Sequence, residues 1–111
     1  MFTVDDNKNI TIIRGDSAMF EIELLEDDGA GGTKPYEMKE GDKITFTVKK
    51  SAKTSEVLIQ KFGPNISINT EDTSSLPYGA YKYDVQFTSA DGYVDTVIPP
   101  KTFKITEEVT W

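Results

Sequence analysis

A few short stretches of this sequence hold residue types that could do chemistry. Arg14-Gly15-Asp16 spells an integrin-binding tripeptide, and Arg14 is the single Arg of the chain. Recognition of that kind needs a protruding loop. Here the tripeptide lies between two strand-like runs with no spare length. A tight turn, with Gly supplying backbone freedom and Asp a side-chain cap, accounts for it. Asp5-Asp6 and Asp27-Asp28 offer the oxygen ligands that calcium takes, but calcium needs roughly six to eight converging oxygens. The segment EDDGAGGTKP (Glu26–Pro35) supplies three carboxylates and then glycines, for which a solvated turn is the better reading, with calcium held by loops at one end of a sandwich left open. Gly29-Ala30-Gly31-Gly32 is followed by no Gly-Lys-Ser/Thr, so it reads as a flexible loop and not as a phosphate cradle. Asn9-Ile10-Thr11 and Asn65-Ile66-Ser67 match the N-glycosylation sequon. Both fall in or beside strand-like runs and are read as accidental.

The composition narrows the chemistry further. The chain has no His and no Cys. That removes the usual general base, the commonest zinc ligands and any disulfide. Nineteen acidic residues against twelve basic ones give a net charge of −7. A nucleic-acid partner is not expected, since phosphate contacts need clustered Lys and Arg. A hydrolase built on two carboxylates would need them to face one cleft, whereas most acids here alternate with apolar residues or sit in turns. The expectation is a protein that is not an enzyme, with no catalytic, metal or cofactor-binding residues and no cofactor. No apolar run is long enough to span a membrane, and the start, MFTVDDNKNI, lacks the pattern of a secretory signal. Synthesis and folding in a cytoplasm are expected, with no membrane partner.

The elements that must position any site are strands. Thirteen Thr, ten Ile and seven Val stand against five Ala and four Leu. β-branched side chains suit a pleated surface and lose rotamer freedom in a helix. Strict alternation marks Ser17–Leu25, Lys43–Lys49, Ala80–Phe87 and Thr102–Thr106, each with one apolar face. Weaker runs lie at Asn9–Ile13, Glu56–Lys61, Asn65–Asn69 and Tyr93–Ile98. Gly15-Asp16, the Glu26–Pro35 segment, Gly63-Pro64 and Asp91-Gly92 separate them. The last pair predicts a type I′ hairpin turn, which needs positive φ at both central positions. Pro99-Pro100 predicts a strand end, because neither residue can donate to a ladder. YEMKEGD and EDTSSLPYG are long enough for single helical turns. About eight strands in a single domain spanning 1–111 predict an all-β fold. The first choice is an immunoglobulin-like antiparallel β-sandwich of seven to eight strands, with a looser sandwich or an open barrel left open. Tyr81 follows a turn Gly at the entry to a strand and is placed like a tyrosine corner, its hydroxyl bonding back to the turn. Trp111, the only Trp, is read as a strand-end packing residue.

The order of these pieces carries a resemblance. NITIIRGDSAMFEIELLEDDG (Asn9–Gly29) resembles the opening of small immunoglobulin-like domains encoded by bacteriophages and prophages of Gram-positive bacteria. The family includes the N-terminal domain of the phage baseplate upper protein. The shared pattern is a strand, a Gly-Asp-Ser turn, here Gly15-Asp16-Ser17, and then an alternating strand running to Asp28-Gly29. GDKITFTVKKS is similar to the third strand. EDTSSLPYGAYKYDVQF and DGYVDTVIPPKTFKITEEVT are similar to the second half. The resemblance implies a non-enzymatic virion component of a tail or baseplate, made in the bacterial cytoplasm. Its partners would be other phage structural proteins and further copies of itself. An adhesion module that binds carbohydrate or protein through its loops is the alternative. Tyr36, Tyr78 and Tyr93 lie near turns and would be its stacking rings, although a half-buried loop anchor explains each.

Overall fold

β-branched and aromatic residues at every second position leave each strand with one face for a core and one for water. A computed structural model, which describes residues 2–4, 7–51 and 53–107, shows what this produces. The described residues form β1 (Phe2–Val4), β2 (Ile10–Ile13), β3 (Ala18–Glu21), β4 (Leu25–Asp27), β5 (Thr33–Pro35), β6 (Lys43–Lys49), β7 (Ile59–Phe62) and β8 (Asn65–Ile68). A one-turn helix, α1 (Thr70–Ser74), then precedes β9 (Gly79–Thr88) and β10 (Val94–Thr106). The fold is all-β. One sheet has six strands in the order β1-β2-β10-β9-β6-β7. Its neighbours are antiparallel except β2 and β10, which run parallel. β3 and β8 form a separate antiparallel ribbon, and β4 and β5 a small hairpin.

The core lies between the large sheet and the β3–β8 ribbon. Ile10, Ile12, Ile44, Phe46, Val48, Tyr81, Tyr83, Val85, Phe103 and Ile105 come from the sheet, and Ala18, Ile66 and Ile68 from the ribbon. Phe46 is fully buried at the centre. Its ring meets Phe20 of the ribbon edge-on at 5.5 Å, with Tyr83 at 5.2 Å and Phe103 at 6.2 Å. Aromatic contacts of this kind add about 0.5–1.5 kcal/mol each beyond the area they bury.

Several expectations change. The run Ser17–Leu25 is not one strand. β3 ends at Glu21, the Ile22 N–H donates to the Pro64 carbonyl at 2.6 Å, and Leu25 opens a new hairpin. Glu26–Pro35 is therefore part of that hairpin, with all of its paired residues exposed. Pro99-Pro100 does not end a strand. β10 continues through both residues as a bulge, two residues opposite one on β9 between the Ile98–Val85 and Lys101–Tyr83 pairs. Prolines are tolerated there because β2 pairs only with Phe103–Thr106, so this part of β10 is a sheet edge. Asp91-Gly92 is not a type I′ turn. Only Gly92 has positive φ, +94°. The Gly92 N–H donates to the Ser89 carbonyl, and the Ser89 N–H to the Tyr93 carbonyl. This is a three-residue loop built on a type I turn with its left-handed residue at Gly92. Of the two expected helical turns, EDTSSLPYG gives α1 and YEMKEGD gives an irregular loop. Asp5-Asp6 and Trp111 lie outside the described residues.

Candidate functional site

Polar side chains gather where loops converge, and this fold has two such ends. At the first, the loop of residues 36–42 leading into β6 meets the β9–β10 turn. The chain reaches this loop from the hairpin, whose root is fixed by the Tyr36 N–H donating to the Leu24 carbonyl at 2.9 Å. The Tyr36 ring then packs edge-on against Phe87 of β9 at 5.4 Å. Asp42 joins the two loops. Its Oδ2 accepts from the Tyr36 hydroxyl at 2.7 Å and the Lys39 N–H at 2.9 Å, and its Oδ1 from the Ala90 N–H at 3.2 Å. Gly41 permits the approach. Its φ is +89°, and a Cβ there would stand 2.7 Å from the Ala90 Cβ.

The electrostatics follow from one shared proton. The Tyr36 hydrogen bond, helped by the Lys39 N–H, holds the Asp42 carboxyl below its usual range against partial desolvation. The same bond to a carboxylate pushes the Tyr36 phenol up to about 12. Asp91 is lowered for a similar reason. It accepts from the Ser89 hydroxyl first and from the Tyr93 N–H second. Between the loops is an open cleft of about 520 Å³ with Tyr36, Asp42, Asp91 and Tyr93 on its walls. Its carboxylates are ionised and already engaged as acceptors, which suits a clasp better than proton transfer.

The aromatic residues named from the sequence do not converge. Tyr36 is a half-buried anchor, with the Lys39 ammonium 6.0 Å from its ring centre. Tyr93 stands at the cleft rim, 65% exposed. Tyr78 is at the other end of the molecule, its ring under the Arg14 guanidinium at 4.2 Å. That end also contains Arg14-Gly15-Asp16, which is a tight turn. The Asp16 N–H donates to the Ile13 carbonyl at 3.0 Å, and the Gly15 N–H to the hydroxyl of fully buried Thr73 at 2.9 Å. Asp27 and Asp28 cap their own turn, accepting from the N–H groups of Gly29, Ala30 and Gly32. The Asn9 side chain accepts from the Thr102 N–H at 3.1 Å, and Asn65 begins β8. Among the described residues no group of three or more His, Cys, Asp or Glu is placed to hold a metal ion.

Sequence reasoning missed Asp42 and Thr73. Asp42 carried one local signal, a Gly-Asp step immediately before a strand. Thr73 carried none, because its partner is 58 residues away. No protein-family model and no curated protein matches this chain.

Proposed function

We propose that this chain is a non-enzymatic structural or assembly module of a bacteriophage or prophage particle, a tail or baseplate component that works through protein–protein contacts. The observation that supports it is the strand arrangement. β6, β9 and β10 lie together in one sheet, extended by β7, while β3 and β8 pair across the core. This arrangement supports an immunoglobulin-like reading, in which strands C, F and G would lie against B and E. The Tyr81 hydroxyl donates to the Pro77 carbonyl at 2.6 Å, at the corner leading into β9, as a tyrosine corner does. That combination is what the resemblance to phage immunoglobulin-like domains implies. Its biology would be carried by outer faces and projecting loops, including the exposed β4–β5 hairpin.

Mass spectrometry of purified particles from the source bacterium tests this. The chain should be present at a fixed copy number relative to the tail proteins. Its absence from particles that contain a complete tail would overturn the reading. The adhesion alternative has one observation in its favour, the exposed Tyr93 ring beside Asp91 at the cleft rim. A glycan array probed with the protein and with Tyr93→Ala separates the two. Glycan binding lost in the variant would favour adhesion.

A further inference from the structure

Charge is distributed unevenly over this molecule. On the large sheet, the face turned away from the core carries Lys43 and Lys49 from β6, Lys82 from β9 and Lys104 from β10. This follows from their alternation with buried Ile44, Val48, Tyr81, Tyr83, Phe103 and Ile105. Within β6, β7, β9 and the Thr102–Thr106 stretch of β10, one carboxylate, Asp84, shares that face. Four lysines against one carboxylate is the opposite of a chain whose net charge is −7.

The register sharpens the point. Lys49 and Lys82 are direct cross-strand partners, and Lys82 in turn faces Thr102. Like charges placed directly opposite repel, so the isolated sheet gains nothing from this pair. Among the described residues none of the four lysines forms an ion pair. Lys82 has only a long 3.4 Å bond to the Thr102 hydroxyl. A depression of about 50 Å³ lies beside them, lined by Thr47, Lys49, Ser51, Lys82, Asp84 and Pro100. Its two ammonium groups outnumber its one carboxylate, and with the hydroxyls of Thr47 and Ser51 they leave donors in excess for an incoming carboxylate.

The matching carboxylates are on the same chain. Glu26, Asp27, Asp28, Glu37 and Glu40 are all exposed on the hairpin and the loop after it, where they outnumber Lys34, 3.8 Å from Glu26, and Lys39. That loop enters β6 at Lys43, whereas Lys49 is at the other end of the strand, about 20 Å away. One copy cannot bring its acidic end onto its own Lys49 and Lys82, but a second copy can.

We propose that the outward face of the large sheet, centred on Lys49 and Lys82, is the docking surface for the acidic hairpin end of a second copy of this chain. The inference rests on reading the chain as an assembly module and names its partner. The contact joins two different patches, so it is head-to-tail and builds a ring or an open filament.

Sedimentation equilibrium on the purified protein tests it. Self-association is expected at about 0.02 M salt, with the apparent Kd rising on the order of tenfold or more by about 0.5 M as exposed charges are screened. Lys82→Glu alone pairs with Lys49 across the strands, so it keeps the sheet folded, and it should weaken association. Lys49→Glu with Lys82→Glu should abolish it, as should Glu26→Lys with Asp27→Lys and Asp28→Lys. Mixing these two multiple variants should restore it, because each then presents the charge the other lacks. A monomer at millimolar concentration in low salt would overturn the proposal. So would association that ignores both charge reversals. Charge-dependent association of a protein absent from particles would retire the virion reading alone. A strict monomer found in particles would retire the head-to-tail contact alone.

Discussion

The two loop ends solve the same problem with different groups. Each must satisfy backbone N–H groups where strands stop pairing. At the Arg14–Asp16 end a neutral hydroxyl does so: Thr73, with no exposed surface, accepts from the Gly15 N–H. At the hairpin end an ionised carboxylate does so. Asp42, half-buried, accepts from Tyr36, Lys39 and Ala90. A buried hydroxyl needs little solvation and holds its partner at any ordinary pH. A carboxylate makes stronger bonds but needs water nearby, so it belongs on the rim. The first end is therefore tied down through buried Thr73, and the second is a clasp on the surface. A recognition loop could change shape at the second end without unfolding the sheet.

The largest expected effect tests the buried end. Thr73→Val keeps shape and removes the acceptor, leaving the half-buried Gly15 N–H without its protein partner. The expected loss is about 1–3 kcal/mol of global stability. Thr73→Ser, which keeps the hydroxyl, should recover much of it in chemical denaturation. A Val variant as stable as the parent would remove the distinction between the ends.

Gly41→Ala makes the converse test at the clasp. The left-handed φ alone costs a non-Gly residue roughly 1–2 kcal/mol, and the new Cβ would meet the Ala90 Cβ at 2.7 Å. The 36–42 loop and the β9–β10 turn should separate. Hydrogen exchange at the Ala90 amide should speed up while exchange at the Gly15 amide stays slow. Equal acceleration at both amides would mean that the ends are one cooperative unit.

The same contrast explains what could be read from the sequence. Lys43–Lys49 is a strand with the anticipated bounds, and Ala80–Phe87 lies within β9, because in both the apolar period and the pairing partner agree. Over Ser17–Leu25 they disagree. Ile22 is buried and Leu24 half-buried, so the alternation is real, but the backbone leaves the ribbon at Glu21. Periodicity reports which side chains are buried and is silent about which strand receives the N–H groups. Tyr81 was legible because its acceptor, Pro77, is four residues back. Pro99-Pro100 looks locally like a strand end, because whether a strand is an edge depends on how far β2 extends, and no local pattern encodes that. The clasp was illegible for the same reason, since Asp42 and Ala90 are 48 residues apart. The lysine face was hidden too, because Lys49 and Lys82 become neighbours only through the β6–β9 register.

The smallest expected effect is confined to the clasp and is read by pH. Asp42 has a lowered folded pKa, so its contribution is present above the ordinary carboxylate value of 3.8 and is lost as the pH falls through the lowered one. Acid should therefore release the Lys39 and Ala90 amides to exchange before the core melts. Tyr36 has a raised folded pKa. Its contribution is present below the ordinary phenol value of 10 and is lost as the pH rises through about 12. The clasp thus has a window, intact from about 4 to about 10, and the Thr73 contact has none. In a ring-resonance titration Tyr36 should ionise late, and Asp42→Asn should bring it back toward 10, because the bond to a charged acceptor is the largest cause of the shift. If Tyr36 titrates at 10 in the parent protein, Asp42 is not bonded to it in solution. The loops would then be held by Gly41 packing on Ala90 alone, and both ends would be neutral.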